Sequence, residues 1–239
     1  MLELEMKLGG RSMMIHPVIA LDKDSWTLID TGTPGLSGEI LAYAEQAGIT
    51  GRPLSAIVLT HQDIDHIGSL PEFLEKAGAA PFEVYAHEDD RDTIDGKAPL
   101  LKFPPDRLQA ELATLLDEVR ISFENVFLRP SKTNVTRLMS DGETLPIGDG
   151  LTVIHTPGHT PGHVSLYHQA SKTLIAGDAL VIHNGELQCS SPYSTIDMGK
   201  AIRSLEKFKP FDIESVVCYH GGLIRGDINK LIAELIVRL

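Results

Sequence analysis

An α/β fold is what the sequence predicts, on three observations. Short, β-branched apolar runs recur along it, among them SAIVLT (residues 55 to 60), LTVIHT and SVVCYH, as expected of buried strands. Other stretches repeat their apolar residues at three and four positions, the spacing of one helix face. A length of 239 residues, 42% apolar and 23% charged, suits a globular chain with one sizeable core.

The elements follow in order. LELEMKL alternates, MMIHPVIAL is a mostly apolar run, and WTLID closes against the turn residues TGTPG, so three early strands are expected. Leu36, Ile40, Leu41, Ala44 and Ala47 then recur at helical spacing, with Gly48 placed to stop the helix. SAIVLT is the next strand, and the stretch LTHQDIDHIG (59 to 68) begins where it ends. SLPEFLEKAG has the marks of a helix start, with Ser69 before Pro71 and Glu72 three residues after the serine. The His/Asp cluster therefore belongs in a strand-to-helix loop. Residues 88 to 130 behave differently: LLKFPPDR is apolar and proline-broken, and Leu108, Leu112, Leu115, Leu116 and Val119 mark one helix face. This segment reads as a helical insert between two halves of a single domain over 1–239. Beyond it come the strands LTVIHT, HVSLYH and KTLIAGD, a helix over Met198 to Phe208, the strand SVVCYH and a helix from Asp227.

Composition narrows the function classes. A net charge of −12, with no run of Lys and Arg, repels phosphate backbones, so nucleic acid is not an expected partner. MLELEMKLGG alternates instead of giving a basic stretch and an apolar one, unlike a secretory signal. Eighteen consecutive apolar residues occur nowhere, so no membrane span is expected. Cys189 and Cys218 form no close pair, which makes a reducing cytoplasm the simpler compartment.

His61, Asp63, Asp65 and His66 place two imidazoles and two carboxylates within six positions, borderline nitrogen and hard oxygen that suit zinc, iron or manganese. In extended chain His61 and Asp63 share a side, whereas the adjacent Asp65 and His66 point differently. That spacing suits two metals better than one; the bland alternative is a solvated loop with a capping aspartate. Further ligands would come from other strand ends: His155, His159 and His163 in HTPGHTPGH, Asp178 in AGDAL and His220 in VVCYHGG. Convergence from several strand ends is how an α/β scaffold builds a rigid site.

These residues together resemble the metallo-β-lactamase-fold metal-dependent hydrolases, and within them a glyoxalase II- or lactonase-like variant with His-x-Asp-x-Asp-His for the usual His-x-His-x-Asp-His. His61, Asp65 and His66 match the first element, His159 the second, Asp178 the third and His220 the fourth, and the match spans most of the chain. The resemblance implies a four-layer αββα sandwich with a dinuclear centre at one edge: His61, Asp63 and His159 on the first metal, Asp65, His66 and His220 on the second, Asp178 bridging. Asp30 in LIDTG matches an aspartate that orients the site, and His163 is expected as a partner of the ligands. Asp63, where most members have histidine, makes three carboxylates; with a bridging hydroxide they balance two divalent ions. Zinc is the first expectation for the pair, and the added hard oxygen shifts preference toward iron or manganese.

The chemistry this implies is hydrolysis of a small-molecule ester, lactone or thioester carbonyl, because metal coordination lowers the pKa of water from about 15.7 toward roughly 7. Asp65 would orient the attack or carry the proton to the leaving group. Tyr193, following Asp178 as a tyrosine does in the resembling lactonases, would donate to the oxyanion; otherwise it is a surface or packing residue. His16, His87, His155, His168 and His183 are expected to be structural or exposed, and Cys218 buried in its strand. Leu100, Leu101 and Phe103 would form an apolar lip for an acyl chain, behind the expectation that the insert packs on the sandwich or makes a homodimer contact. Phosphodiester cleavage would use the same parts, but a neutral centre in an acidic protein suits it less. An iron redox enzyme of flavodiiron type, which has an acidic residue at the Asp63 position, is the first rival class. A non-catalytic metal-sensing domain comes last, because every expected ligand is present.

Overall fold

The computed structural model describes residues 1–49, 51–76 and 81–239. Its first sheet takes up β3 (Val18–Leu21), β4 (Trp26–Ile29), β5 (Leu54–Val58), β6 (Glu83–His87) and β7 (Arg137–Met139), in that order, after an N-terminal hairpin of β1 (Leu4–Leu8) and β2 (Arg11–Ile15). The second sheet has the order β15-β14-β11-β10-β9-β8, from β8 (Thr144–Leu145), β9 (Leu151–His155), β10 (Val164–His168), β11 (Thr173–Gly177), β14 (Ser215–Cys218) and β15 (Gly222–Arg225). Between β11 and β14 the hairpin of β12 (Leu180–His183) and β13 (Glu186–Cys189) projects as a separate two-stranded sheet.

Alternation along the strands makes the layers. Ile29, Ala56, Val58 and Tyr85 of the first sheet meet Leu151, Val153, Val164, Leu166 and Ile175 of the second in a shared core. Their neighbours Leu28, Ile57, Val84 and Ala86 face the other way, as do Ile154, Tyr167, Leu174 and Ala176, because successive side chains leave a strand on opposite faces. Helices α1 (Ser37–Gln46), α2 (Ile64–Ile67) and α3 (Leu70–Lys76), then α4 (Glu88–Ile94), α5 (Pro105–Leu112) and α6 (Asp117–Phe123), serve the first sheet's outer core; the 3-10 turn Leu205–Phe208 that follows α7 (Met198–Ser204), together with α8 (Ile228–Arg238), serves the second's. Three cores between four layers are the expected αββα sandwich.

Several boundaries differ from expectation, each for a physical reason. MMIHPVIAL is two strands, since Pro17 has no N–H to continue a ladder: β2 pairs with β1, while β3 joins the first sheet beside β4. Ser69 and Glu72 form no capping box. Ser69 Oγ donates to Thr33 C=O and accepts from Leu36 N–H, and Glu72 accepts from Gly35 N–H and Ser37 Oγ, so both side chains fasten the turn before α1. The end of SLPEFLEKAG lies outside the described residues. The single amphipathic helix expected around Leu108 to Val119 is two, α5 and α6, and Leu116 between them is 70% exposed. Strands β6, β7, β8, β12, β13 and β15 were not legible, most being too short or too polar to show a period. Gly48 ends α1 as expected, with φ +70°. Among the described residues no helix is long and apolar enough to cross a membrane.

Candidate metal centre

One edge of the sandwich collects the strand ends. β4 and β5 are parallel with Ile29 opposite Val58, so Asp30 and the 59–63 loop leave side by side. β11 and β14 are parallel with Gly177 opposite Cys218, so Asp178 and His220 emerge together. The turn from β9 to β10, carrying His159 and His163, is tied to the same edge by Val164 N–H donating to Thr60 C=O at 2.9 Å. His61 and Asp63 lie in the loop as expected, while Asp65 and His66 lie within the short turn of α2.

All seven expected ligands converge. His61, Asp63 and His159 form one close group and Asp65, His66 and His220 a second, and His61, His66 and Asp178 lie close together between them. Asp63 Oδ2 is 3.2 Å from His61 Nε2 and 3.0 Å from His159 Nε2. His220 Nε2 is 3.2 Å from Asp65 Oδ2. Asp178 reaches both sides, with Oδ2 3.3 Å from His159 Nε2 and 3.5 Å from His220 Nε2, and Oδ1 3.4 Å from His66 Nε2. His61 Nε2, His66 Nε2 and Asp178 Oδ1 are buried with no hydrogen-bond partner. Such atoms cost about 1–3 kcal/mol each when left unsatisfied, and this donor set of imidazole nitrogen and carboxylate oxygen is one that divalent metals satisfy. The residues fit the group the fold implies.

A second ring of contacts fixes the tautomers. Asp30 accepts Thr60 N–H and Thr60 Oγ1–H, each at 2.8 Å, and its Oδ2 takes the His66 Nδ1–H at 2.9 Å. Thr60 Oγ1 in turn accepts from His61 Nδ1 at 3.0 Å. Both Nε2 lone pairs are thereby left to face inward. His163 takes no ligand position: its Nε2 accepts the Asp178 N–H at 2.9 Å and its Nδ1 meets Thr156 Oγ1 at 2.8 Å. Charge follows the geometry. Burial opposes charge on His220, yet Asp178 and Asp65 push its imidazole up to about 10. Burial likewise works against the Asp178 carboxylate, but His220, His66 and His159 hold it well below the usual range. The carboxylates of this edge demand positive charge.

The structure adds residues that were not expected. Asp90 of α4, 1% exposed, accepts from Gln62 N–H at 3.1 Å, Gln62 Nε2 at 3.1 Å, Thr160 Oγ1 at 2.6 Å and Gly162 N–H at 2.8 Å, binding the His61 loop to the His159 loop. Tyr219 donates its hydroxyl to the Asp65 carbonyl and lies against the His66 ring at 3.7 Å. Lys102 of the insert places its ammonium among Asp63, His159 Nε2 at 2.7 Å and the Ser194 carbonyl at 2.9 Å. Its signal was a lone charge within the apolar LLKF.

The remaining candidates lie around the cleft and the outer core. Tyr193 stands at the cleft rim with its side chain wholly exposed. Of the expected lip, Phe103 is buried in the outer core under the Arg107 guanidinium and Leu100 packs against that core, both also lining a side pocket next to Asp63 and Asp65, while Leu101 is exposed. His87 and His155 stack face to face at 3.8 Å and form a further close group with Asp89, and His16 is held by the Tyr219 carbonyl. His183 is exposed on the cleft wall. Cys218 is buried, and both cysteines are free thiols.

The centre opens into a cleft of about 680 Å³ walled by Met6 and Met13 of the N-terminal hairpin and by Val181 and Ile182, with Arg11 at its rim.

Comparison with known proteins agrees with this geometry. Residues 14–220 match the model of the metallo-beta-lactamase superfamily. The chain is 33% identical to the probable metallo-hydrolase YflN of Bacillus subtilis, over 90% of this chain and 83% of that one. It is 28% identical to the acyl-coenzyme A thioesterase MBLAC2 of Bos taurus, over 85% of this chain and 66% of that one. The crystal structure of the metallo-beta-lactamase family protein TTHA1429 from Thermus thermophilus superposes with a TM-score of 0.67 at 24% identity, covering 99% of this chain and 77% of that one.

Proposed function

Starting from the fact that the chain belongs to the metallo-beta-lactamase superfamily and is a metal-dependent hydrolase, we propose that it hydrolyses the ester, lactone or thioester carbonyl of a small molecule at a pair of divalent metals. The observation that carries this reading is the convergence of His61 Nε2, His66 Nε2 and Asp178 Oδ1, buried and unbonded, beside the Asp63, Asp65, His159 and His220 side chains that line an open cleft. His61, Asp63 and His159 would hold one metal and Asp65, His66 and His220 the other, with Asp178 between. Bound there, the metals supply Lewis acidity for the carbonyl and a water whose pKa falls toward about 7.

The chain's own residues do the rest. Asp30 and Thr60 engage the outward Nδ1 of His66 and His61, so that the neutral rings turn their Nε2 lone pairs inward. Asp65 lines the cleft, where its carboxylate can take a proton from the attacking water and hand it to the leaving oxygen or sulfur. Met6, Met13, Val181 and Ile182 offer an apolar wall to the acyl part, and Arg11 a cation to an anionic one. Similarity to a thioesterase supports thioesters as the first of the three to assay. Zinc remains the first metal to try, and Asp63 favours iron or manganese beyond it.

The test is a panel of acyl thioesters, lactones, simple esters and phosphodiesters, assayed with metal-stripped protein and after loading with zinc, manganese or iron. Metal-dependent turnover of a carbonyl substrate is expected. Turnover of phosphodiesters alone, or reductant-driven oxygen uptake by the iron form without hydrolysis, would overturn the proposal.

A further inference from the structure

Lys102 stands apart from every other cation of the molecule. Its side chain leaves the segment between α4 and α5 and enters the centre itself, 19% exposed, with all three ammonium protons directed at acceptors: the Asp63 carboxylate, His159 Nε2 and the Ser194 carbonyl. This placement is built. Leu101 N–H donates to Gln62 Oε1 at 3.2 Å, pinning the segment to the ligand loop, and Phe103 and Leu100 anchor it in the outer core on either side. His159 Nδ1 lies 3.4 Å from Thr195 Oγ1 and its Nε2 3.0 Å from Asp63 Oδ2; with the ring proton on Nδ1, the Nε2 lone pair faces the Lys102 ammonium.

An imidazole nitrogen has one lone pair. His159 Nε2 therefore serves either the Lys102 ammonium or a metal, and the Asp63 oxygen that faces His159 is the one the ammonium contacts. Two of the three members of the group His61, Asp63, His159 are thus Lys102 acceptors, whereas Asp65, His66 and His220 are not among its partners. We propose that Lys102 is a built-in competitor for the first metal position: its ammonium and the metal share the same donors, so that position loads more weakly than the second, and loading it releases Lys102 toward Tyr193 and Ser194 on the cleft wall. Asp63 fits the same scheme, since a carboxylate pairs with an ammonium and the histidine usual in the superfamily would not.

The inference rests on the dinuclear reading above, and the experiment separates the two. Metal-stripped wild type, Lys102→Met and Lys102→Gln are titrated with zinc against a chelator and read as two stepwise constants. Asp65→Ala, which removes a donor of the second group only, identifies the constant that belongs to the first. Both Lys102 variants are expected to tighten the first constant about tenfold or more, equivalent to about 1.4 kcal/mol, and to leave the second nearly unchanged. A wild type that retains one zinc while Lys102→Met retains two would be the extreme form of that result. Two zincs with the same constants in all three proteins would overturn the competitor role and leave the dinuclear site standing. No more than one zinc in every protein, Lys102 variants included, would overturn both.

Discussion

Asp30 spends its whole side chain on Thr60 and His66. It follows β4 in a left-handed conformation, φ 61°, which few residues other than Gly, Asn and Asp adopt readily, and from there it reaches Thr60 and His66 together. Asp30→Asn keeps the shape and removes the charge that holds the His66 Nδ1–H. It is expected to lower metal affinity about 10- to 100-fold, the effect of losing an outer partner of a ligating histidine, with the circular dichroism spectrum unchanged. Unaltered metal affinity in Asp30→Asn would show that the contact does not orient His66. The expected ligands were legible in the sequence because each sits at the end of a strand that could be read, and four of them lie within six positions. Asp90 and Lys102 were not. Their partners stand 72 and 57 residues away, Gly162 and His159, and only the packing of the insert brings them near. The orientation of Tyr193 was hidden in a similar way: its place in the chain puts it at the cleft, but nothing in the sequence tells which way the ring faces.

Elements carry the insert's attachment. Asp95, at the end of α4 and fully buried, accepts the Asn134 and Val135 N–H groups at 2.7 and 2.9 Å with one oxygen. Its other oxygen pairs with Lys97 at 3.0 Å and Arg91 at 3.3 Å. The carboxylate thus closes the loop of chain that holds α5 and α6. Burial alone would push it up, but the Val135 N–H, Lys97 and the Asn134 N–H outweigh burial and hold it below the usual carboxylate range. A group depressed on folding contributes stability above its unfolded pKa, about 3.9, and loses that contribution as pH falls through its folded value. Asp95→Asn is therefore expected to cost about 1–3 kcal/mol at pH 7, with the gap to wild type closing as pH falls below about 4. Urea unfolding at pH 7 and pH 3 measures it; a gap that is the same at both would contradict the role. Residues 88 to 130 read in the sequence as a helical insert, yet helices α5 and α6 read as one because Leu115, Leu116 and Val119 continue the apolar spacing across the break. Periodicity records which residues are apolar and does not see where the backbone turns.

At the scale of the molecule, the four layers were implied by resemblance, whereas the alternation that builds them is visible in the strands themselves. Leu28 and Ile29, Ile57 and Val58, and Leu174 and Ile175 are pairs in which each member fills a different core. What the layers hold rigid is an edge with three carboxylates and four imidazoles, seven groups from both halves of the chain. Bringing those halves together places like charges side by side, so a cation that binds only the folded edge stabilises the whole fold through linkage. The first measurement is thermal unfolding of metal-stripped protein against added zinc or manganese, in equivalents per chain. The midpoint is expected to rise and to level off at two equivalents, with Asp178→Asn losing most of the rise. A midpoint indifferent to either metal, or a rise that Asp178→Asn leaves intact, would contradict a two-metal centre at this edge.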